Sequence, residues 1–332
     1  MFSKKRNHFS VIQSFFVSSF HCFHAYKFVQ IAWKWYYTPT IISDCDKNMN
    51  KQRTLVFVGA HPDDETFGVG GTLAHYSTAG VTVYYACATR GEVGSSNPEE
   101  MQEYATLGDM RWAELKCAAQ ILGLADVIHL GYRDSGMPGS ADNKHQEALA
   151  TAPLEQVTGR VVKVIREFKP EVVITFDPIG GYRHPDHIAI HNAVVQAFHA
   201  AGNSEQYPEA GSVFQPQKLY FSVFSRRLLK VAVKLLPLFG QNPHRFGRNK
   251  DIDIANLATV EFPVHAAIRL TKQAVETRNK AMACYTSQAG GGPPRTGILG
   301  LVNKLFGQHD LYMRAHPPAD GHRETDLFEY VL

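Results

Sequence analysis

From Arg53 onward, short apolar runs alternate with longer stretches in which apolar residues recur every three or four positions. Runs rich in β-branched and aromatic residues predict strands, whereas the longer spacing predicts helices. The predicted strands are TLVFVGA, VTVYYACAT, DVIHLG, EVVITFDP, KLYFSV and ATVEFPV. The predicted helices are TLAHYSTAG, MRWAELKCAAQILG, LEQVTGRVVKVIREFK and IAIHNAVVQAFHAAG. This alternation predicts an α/β fold with a Rossmann-like, doubly wound, mostly parallel sheet and helices on both faces.

The ends of the chain differ from this pattern. Residues 1–48 are predicted to lie outside the fold, because Met49 stands just before the first predicted strand. Polar residues interrupt every apolar run there before it reaches the roughly 18 residues that a membrane span needs. An upstream start and a membrane-surface anchor remain open as explanations. The main domain is expected over 49–332, with a smaller, variable C-terminal extension from about residue 203.

Two segments of that extension, SRRLLKVAVKLLPLFG and TGILGLVNKLFG, predict basic amphipathic helices. Packing on the core or covering the cleft as a lid is the favoured interpretation of both. Contact with a membrane surface is the less favoured one.

Composition narrows the class of protein. Of the 332 residues, 44% are hydrophobic and 20% charged, which is typical of a globular chain with a sizeable core. The net charge of +3 is small and the basic residues are dispersed, so no nucleic-acid partner is expected. The five cysteines form no CxxC pair, so neither a zinc ribbon nor a disulfide framework is predicted. The sequence instead predicts a reducing, cytoplasmic location. Cys87 and Cys117 are interpreted as small buried hydrophobic residues.

Polar segments follow three of the predicted strands: AHPDDE, TRGEVG and DPIGGYRHPDH. Ligands of open α/β sheets bind beyond the carboxyl ends of the strands, so these segments are the candidate site. Consecutive acids repel one another, whereas a divalent metal ion turns them into ligands. The sequence therefore predicts a metal site at this edge.

His61, Asp64 and His187 are the predicted metal ligands. Two imidazoles and one carboxylate, with a position left open for water, are typical of catalytic zinc. The same set matches the facial triad of non-haem ferrous oxygenases, so zinc is predicted and ferrous iron remains the alternative.

The neighbouring side chains suggest hydrolysis. Asp63 is placed to act as general base, and His184 to donate to an oxyanion. Asp186 is predicted to hydrogen-bond His184 and keep it protonated, and Tyr182 to donate a second hydrogen bond. His191, four residues after His187, is predicted to be a packing or supporting residue rather than a ligand.

AHPDDE combined with GGYRHPDH resembles the LmbE/PIG-L family of metal-dependent N-deacetylases, which act on N-acetylglucosamine conjugates. TRGEVG, MRWAELKCAAQILG, LGYRDSGM and KAMACYTSQ extend the resemblance over about Arg53–Gln288. It implies the same metal ligands and the same roles for the catalytic residues. It further implies that Arg111 and Asp134 contact substrate. YRDSGM with GGYRHPDH is most similar to the branch that deacetylates or cleaves thiol-sugar conjugates of the mycothiol type.

The predicted function is therefore zinc-dependent removal of an N-acetyl group from a small amino-sugar conjugate. An amidase cleaving a thiol-sugar conjugate is the alternative within the family. Two alternatives come from other classes of protein. In a ferrous oxygenase, Asp63 and the pair His184 and Asp186 would have no function. A non-catalytic sugar-binding protein would not need every metal ligand together with the base. Whether the chain forms a homo-oligomer is left open by the sequence.

Overall fold

The computed structural model describes residues 52–97, 99–245, 250, 252–289 and 308–332. Its strands, in chain order, are β1 (Thr54–Gly59), β2 (Thr82–Cys87), β3 (Asp126–His129), β4 (Val172–Phe176), β5 (Lys218–Val223), β6 (Ala266–Arg269) and β7 (His309–His316). Its helices are α1 (Asp64–Phe67), α2 (Gly70–Thr78), α3 (Leu107–Leu122), α4 (Leu154–Phe168), α5 (Gly180–Arg183), α6 (Pro185–Ala200), α7 (Arg226–Leu235), α8 (Ile254–Leu257), α9 (Lys272–Met282) and α10 (Thr286–Ala289).

The seven strands form one sheet in the order β3-β2-β1-β4-β5-β7-β6. The first five in this order pair in parallel, and β7 runs antiparallel to both of its neighbours. Because parallel crossovers are right-handed, the reversal of strand order at β1 places α2 and α3 on one face and α6 on the other. Helix α9 packs on α2 and α3, and α4 packs on α6. The predicted doubly wound, mostly parallel sheet is confirmed.

The central strands are apolar along their whole length because both faces of the sheet are covered. Every residue of β4, and all but the first of β1, is buried. β1 pairs with β2 on one side and β4 on the other, so the crevice of the sheet opens beyond these strands. The segments AHPDDE and GGYRHPDH follow β1 and β4 directly, and thus both enter this crevice.

The predicted strand ATVEFPV is wrong, since residues 258–264 contain no strand. The amide N–H groups of Thr259 and Val260 donate instead to backbone carbonyls in the last turn of α8. Pro263 has no N–H that could donate to a neighbouring strand. The sheet is completed by β6 and by β7, which the pattern did not predict. At β7 a core-facing position is held by Arg314, whose Nη1 donates to buried Glu324 at 2.7 Å. An inward arginine masks the alternation on which strand prediction depends.

A disulfide joins Cys117 on α3 to Cys284, just after α9. The expectation of a chain without disulfides is therefore wrong, and so is the interpretation of Cys117 as buried, because its side chain is exposed. The two residues are 167 apart in sequence, and only the packing of α9 on α3 brings them together. Cys87, by contrast, is a free and buried cysteine as predicted.

Reduction of this disulfide is expected to lower the free energy of unfolding by about 2–4 kcal/mol, because a long loop is released in the unfolded chain. Urea denaturation with and without a phosphine reductant measures the difference. Cys284→Ser should have the free energy of unfolding of the reduced wild-type protein, and the reductant should not change it. Equal stability of the oxidised and reduced wild-type protein would contradict the prediction.

SRRLLKVAVKLLPLFG forms the predicted helix as α7, whereas TGILGLVNKLFG lies outside the described residues, as do residues 1–48. The proposed division of the chain near residue 49 thus stays a prediction. Within the described part of the chain, no helix has the length and apolar character needed to cross a membrane.

Candidate active site

The turn after β1 is held by the side chain of Asp64. Its Oδ2 accepts the backbone N–H groups of Ala60 at 3.0 Å and His61 at 2.7 Å. The hydroxyl of Tyr85 donates to the carbonyl of His61 at 2.6 Å. These bonds fix the orientation of both His61 and Asp64, the first two predicted ligands.

The segment after β4 depends on glycine and proline. Gly180 has a φ of 66°, and a Cβ there would lie 2.8 Å from the Cβ of His187, so a larger residue would displace this predicted ligand. His184 caps α6, since its Nδ1 accepts the backbone N–H of Asp186 at 3.2 Å. Pro185 occupies the first helical position, which favours helix initiation. His187 therefore projects from the first turn of α6.

The crevice brings the three predicted ligands together. His61 Nδ1 lies 3.2 Å from His187 Nε2, and Asp64 Oδ1 lies 3.3 Å from the same nitrogen. Asp64 Oδ2 lies 3.7 Å from His61 Nδ1. Tetrahedral zinc with ligands at about 2.0–2.1 Å has ligand-to-ligand distances of about 3.3 Å, which the distances from His187 Nε2 to His61 Nδ1 and to Asp64 Oδ1 match. Asp64 faces His61 with its other oxygen, so its assignment as the third ligand stays a prediction.

Other donors lie within reach of the same position. His184 groups with His61 and His187, and a second group joins His61 with Asp134, His184 and Asp186, each with ligand atoms within 4.8 Å of one another. His61 Nε2 faces Asp186 Oδ2 at 3.1 Å, so this carboxylate holds a proton on Nε2, and Nδ1 is the atom that would bind a metal. This is the usual arrangement of a metal-binding histidine held by a carboxylate.

The charges of the site also favour a cation. The crevice holds four buried or half-buried carboxylates, those of Asp63, Asp64, Asp134 and Asp186, and of these Asp63 pairs with the guanidinium of Arg111. Burial alone would lower the pKa of His61, but the carboxylates of Asp134 and Asp186 raise it well above its usual value. Burial alone would raise the pKa of Asp64, but His187 and His61 hold it below its usual range. A divalent ion would neutralise this excess of negative charge.

Asp63 stands beside the ligands with a strained backbone. Its φ is 115°, a left-handed value that costs about 1–3 kcal/mol outside glycine. Burial raises the pKa of its carboxyl to about 6 against the lowering effect of Arg111. Arg111 Nη2 donates to Asp63 Oδ2 at 3.0 Å and to the carbonyl of Pro62 at 2.7 Å.

Arg111 is itself fixed by its surroundings. It is 4% exposed, and its Nη1 donates to the carbonyl of Gly91 at 3.2 Å. A Cβ at Gly91 would lie 2.0 Å from that Nη1, so TRGEVG requires this glycine. Arg111 thus orients Asp63 in the structure, and its contact with substrate stays a prediction.

The predicted hydrogen bond from the Asp186 carboxylate to His184 is wrong. That carboxylate accepts from His61, from the backbone N–H of Ser135 at 2.9 Å and from the Ser135 hydroxyl. Burial, together with the nearby imidazoles of His61 and His187, lowers the pKa of His184 to about 2. The hydrogen bond predicted for the carboxylate is absent because Asp186 contacts His184 through its own backbone N–H, which donates to His184 Nδ1. His184 is consequently neutral, with Nδ1 accepting and Nε2–H available as a donor.

The remaining predicted residues line the same crevice. The ring of Tyr182 lies 4.9 Å from that of His187 and 5.9 Å from that of His184, measured between centroids. Asp134 Oδ1 lies 3.5 Å from His61 Nε2 and accepts the backbone N–H of Gly136 at 2.7 Å. His191 contacts the carbonyl of Phe176 through Nδ1 at 2.9 Å and its ring packs on Phe221, contacts that suit the supporting role predicted for it.

Sequence reasoning assigned no role to Ser135, Glu65 or Tyr285. Ser135 holds the carboxylate of Asp186, and Tyr285 donates to Glu65 at 2.6 Å. Ser135 lies in YRDSGM and Tyr285 in KAMACYTSQ, both singled out by the resemblance, so position within a matched motif was the available signal.

Known proteins share sequence with this chain over most of its length. Residues 56–198 match the family model described as PIG-L, GlcNAc-PI de-N-acetylase. The 1D-myo-inositol 2-acetamido-2-deoxy-alpha-D-glucopyranoside deacetylase of Rhodococcus jostii is 40% identical over 294 residues, which cover 83% of this chain and 98% of that protein. The enzyme of the same name from Geodermatophilus obscurus is 34% identical over 295 residues, which cover 84% of this chain and 98% of that protein.

Among solved structures, a conserved protein from Thermus thermophilus is similar in fold, with a TM-score of 0.52 and 22% identity. The match covers 80% of this chain and 94% of that one.

Proposed function

Because the chain belongs to the PIG-L family of de-N-acetylases, we propose that it hydrolyses the acetamide of an N-acetylglucosamine linked to inositol, releasing acetate. The observation that carries the proposal is the position of Asp63, a half-buried acid held by Arg111 next to the donor atoms of His61, Asp64 and His187. The linkage to inositol comes from the name of the R. jostii and G. obscurus relatives. The substrate is thus a small amino-sugar conjugate.

Zinc is the proposed metal, with ferrous iron as the alternative for the same donors. His61, Asp64 and His187 would hold a divalent ion, which would supply Lewis-acid chemistry for the acetamide carbonyl and for a water. Two imidazoles and a carboxylate supply it with nitrogen and oxygen ligands and leave room for substrate.

Side chains of the protein carry out the proton transfer and the stabilisation of negative charge. Asp63 takes a proton from the attacking water and later returns it to the amine that leaves. Its elevated pKa suits both steps, because a base near its working pH also serves as an acid. Neutral His184 donates its Nε2–H to the oxygen that gains negative charge, and Tyr182 is the second donor of this kind. Asp134 and Arg111 are the proposed substrate contacts that the family implies.

The test measures acetate and primary amine released by chelator-treated protein before and after addition of zinc or, without air, ferrous iron. The substrates are N-acetylglucosaminyl-inositol, its phosphatidylinositol counterpart and free N-acetylglucosamine. Acetate and amine released in equal amounts only after metal addition support the proposal, and their ranking identifies the aglycone. A thiol-sugar conjugate is assayed as a fourth substrate, and release of its amine without acetate would indicate the amidase. Oxygen consumption by the iron-loaded protein once air is admitted would indicate the oxygenase. Binding of a conjugate without any product would indicate a sugar-binding protein.

A further inference from the structure

The third acid of AHPDDE has no part in the chemistry above. Glu65 is fully buried, and its side chain is bound on both oxygens. Its Oε2 accepts the backbone N–H of Asp63 at 3.1 Å, and its Oε1 accepts the hydroxyl of Tyr285 at 2.6 Å and that of Thr66. Glu65 therefore touches the main chain of the proposed base rather than the metal-binding atoms.

Tyr285 reaches Glu65 from 220 residues further along the chain. It is fully buried and follows Cys284, which the disulfide ties to Cys117 on α3. On its other side, the backbone N–H and hydroxyl of Ser287 donate to Glu114 of α3 at 2.9 and 2.6 Å. The tyrosine is thus held at both ends by the same helix.

Helix α3 also carries Arg111, which binds the carboxylate of Asp63. Helix α3 therefore fixes Asp63 in two ways. Arg111 holds the side chain of Asp63, and Tyr285 with Glu65 holds its backbone N–H. The left-handed backbone of Asp63 needs such support, because an unusual φ persists only where the surroundings determine it.

We propose that Glu65 and Tyr285 are positioning residues that hold the backbone of Asp63 in the orientation needed for catalysis. This inference rests on the proposed function, in which Asp63 is the general base. A displacement of about 1 Å in a catalytic group is enough to reduce turnover by about 10²-fold, so the loss of either contact should be visible in kinetics.

Three variants test the proposal: Glu65→Ala, Tyr285→Phe and Glu65→Gln. The first two are expected to lower kcat by about 10–100-fold, with KM within about twofold of wild type and bound metal unchanged. Glu65→Gln keeps an oxygen acceptor for the Asp63 N–H and is expected to recover kcat to within about fivefold of wild type. Tyr285→Phe and Glu65→Gln preserve the volume of the core, so they remain informative if Glu65→Ala does not fold.

The matched control is Tyr76→Phe. Tyr76 is also buried and donates its hydroxyl to a carboxylate, that of Asp326, at 2.7 Å, while its ring packs on Phe328; neither partner belongs to the site described above. It should lower the melting temperature without lowering kcat. If Tyr285→Phe behaves in the same way as Tyr76→Phe, the role of Tyr285 is purely structural and the proposal is overturned.

A second readout does not require turnover. Crystal structures of the wild type and of Tyr285→Phe and Glu65→Gln should show whether Asp63 keeps its positive φ and its contact with Arg111. We expect displacement of Asp63 in Tyr285→Phe and retention in Glu65→Gln; an unmoved Asp63 in Tyr285→Phe would overturn the positioning role. Wild-type protein that releases no acetate would instead count against the proposed function, while this structural comparison would still decide the positioning.

Discussion

Asp63→Asn is expected to lower kcat by about 10²–10⁴-fold while leaving the metal bound, because the amide cannot take a proton from water. Asparagine is well suited to the test, since it tolerates positive φ better than most residues and has nearly the same shape as aspartate. Its side-chain oxygen can still accept from Arg111. Steady-state kinetics on the preferred conjugate, with metal content measured by atomic absorption, provide the comparison.

The control for this prediction is Asp109→Asn. Asp109 also pairs with an arginine, with its Oδ1 3.2 Å from Arg90 Nη1, but it lies on the exposed surface of α3. Its loss should leave kcat unchanged. Wild-type activity in Asp63→Asn would show that the proton is taken by another group, and would remove the central assignment of the mechanism.

His187→Ala is expected to abolish metal binding and lower kcat/KM by about 10³-fold or more. Polarisation of the carbonyl by a bound ion contributes several kcal/mol to catalysis, and about 4 kcal/mol corresponds to 10³-fold in rate. The measurement is metal stoichiometry after dialysis, followed by activity with added zinc. Removing His187 also leaves His61 Nδ1 without its neighbour at 3.2 Å.

His191→Ala is the matched control, because it deletes the same side chain one turn further along α6. His191 contacts the carbonyl of Phe176 and packs on Phe221 rather than on the donor atoms. It should lower stability while keeping one metal per chain and most of the activity. Full metal occupancy in His187→Ala would contradict the ligand assignment and favour the alternative group of His61, Asp134, His184 and Asp186.

The central sheet could be predicted from the chain because its strands are local signals. The runs that form β1 and β4 are continuously apolar, and polar motifs begin at once where each ends. Parallel pairing then places the two motifs at one edge, so the meeting of His61, Asp64 and His187 follows from sequence and sheet geometry together. The strand β7 could not be predicted from the sequence, because Arg314 faces inward and binds Glu324, which lies outside the strand.

Residue types and their spacing predicted a metal-dependent hydrolase, its candidate ligands and its candidate base, because the chemistry of HPDDE and HPDH is carried by neighbours in sequence. The resemblance of these motifs to a family added the N-deacetylase activity. Tertiary structure decided which partner each of these groups has. Asp186 binds His61 rather than His184, Arg111 binds Asp63, and Tyr285 reaches Glu65. These partners lie 48 to 220 residues apart in sequence. Contacts over such separations depend on helix packing and on the disulfide between Cys117 and Cys284, which no local pattern encodes.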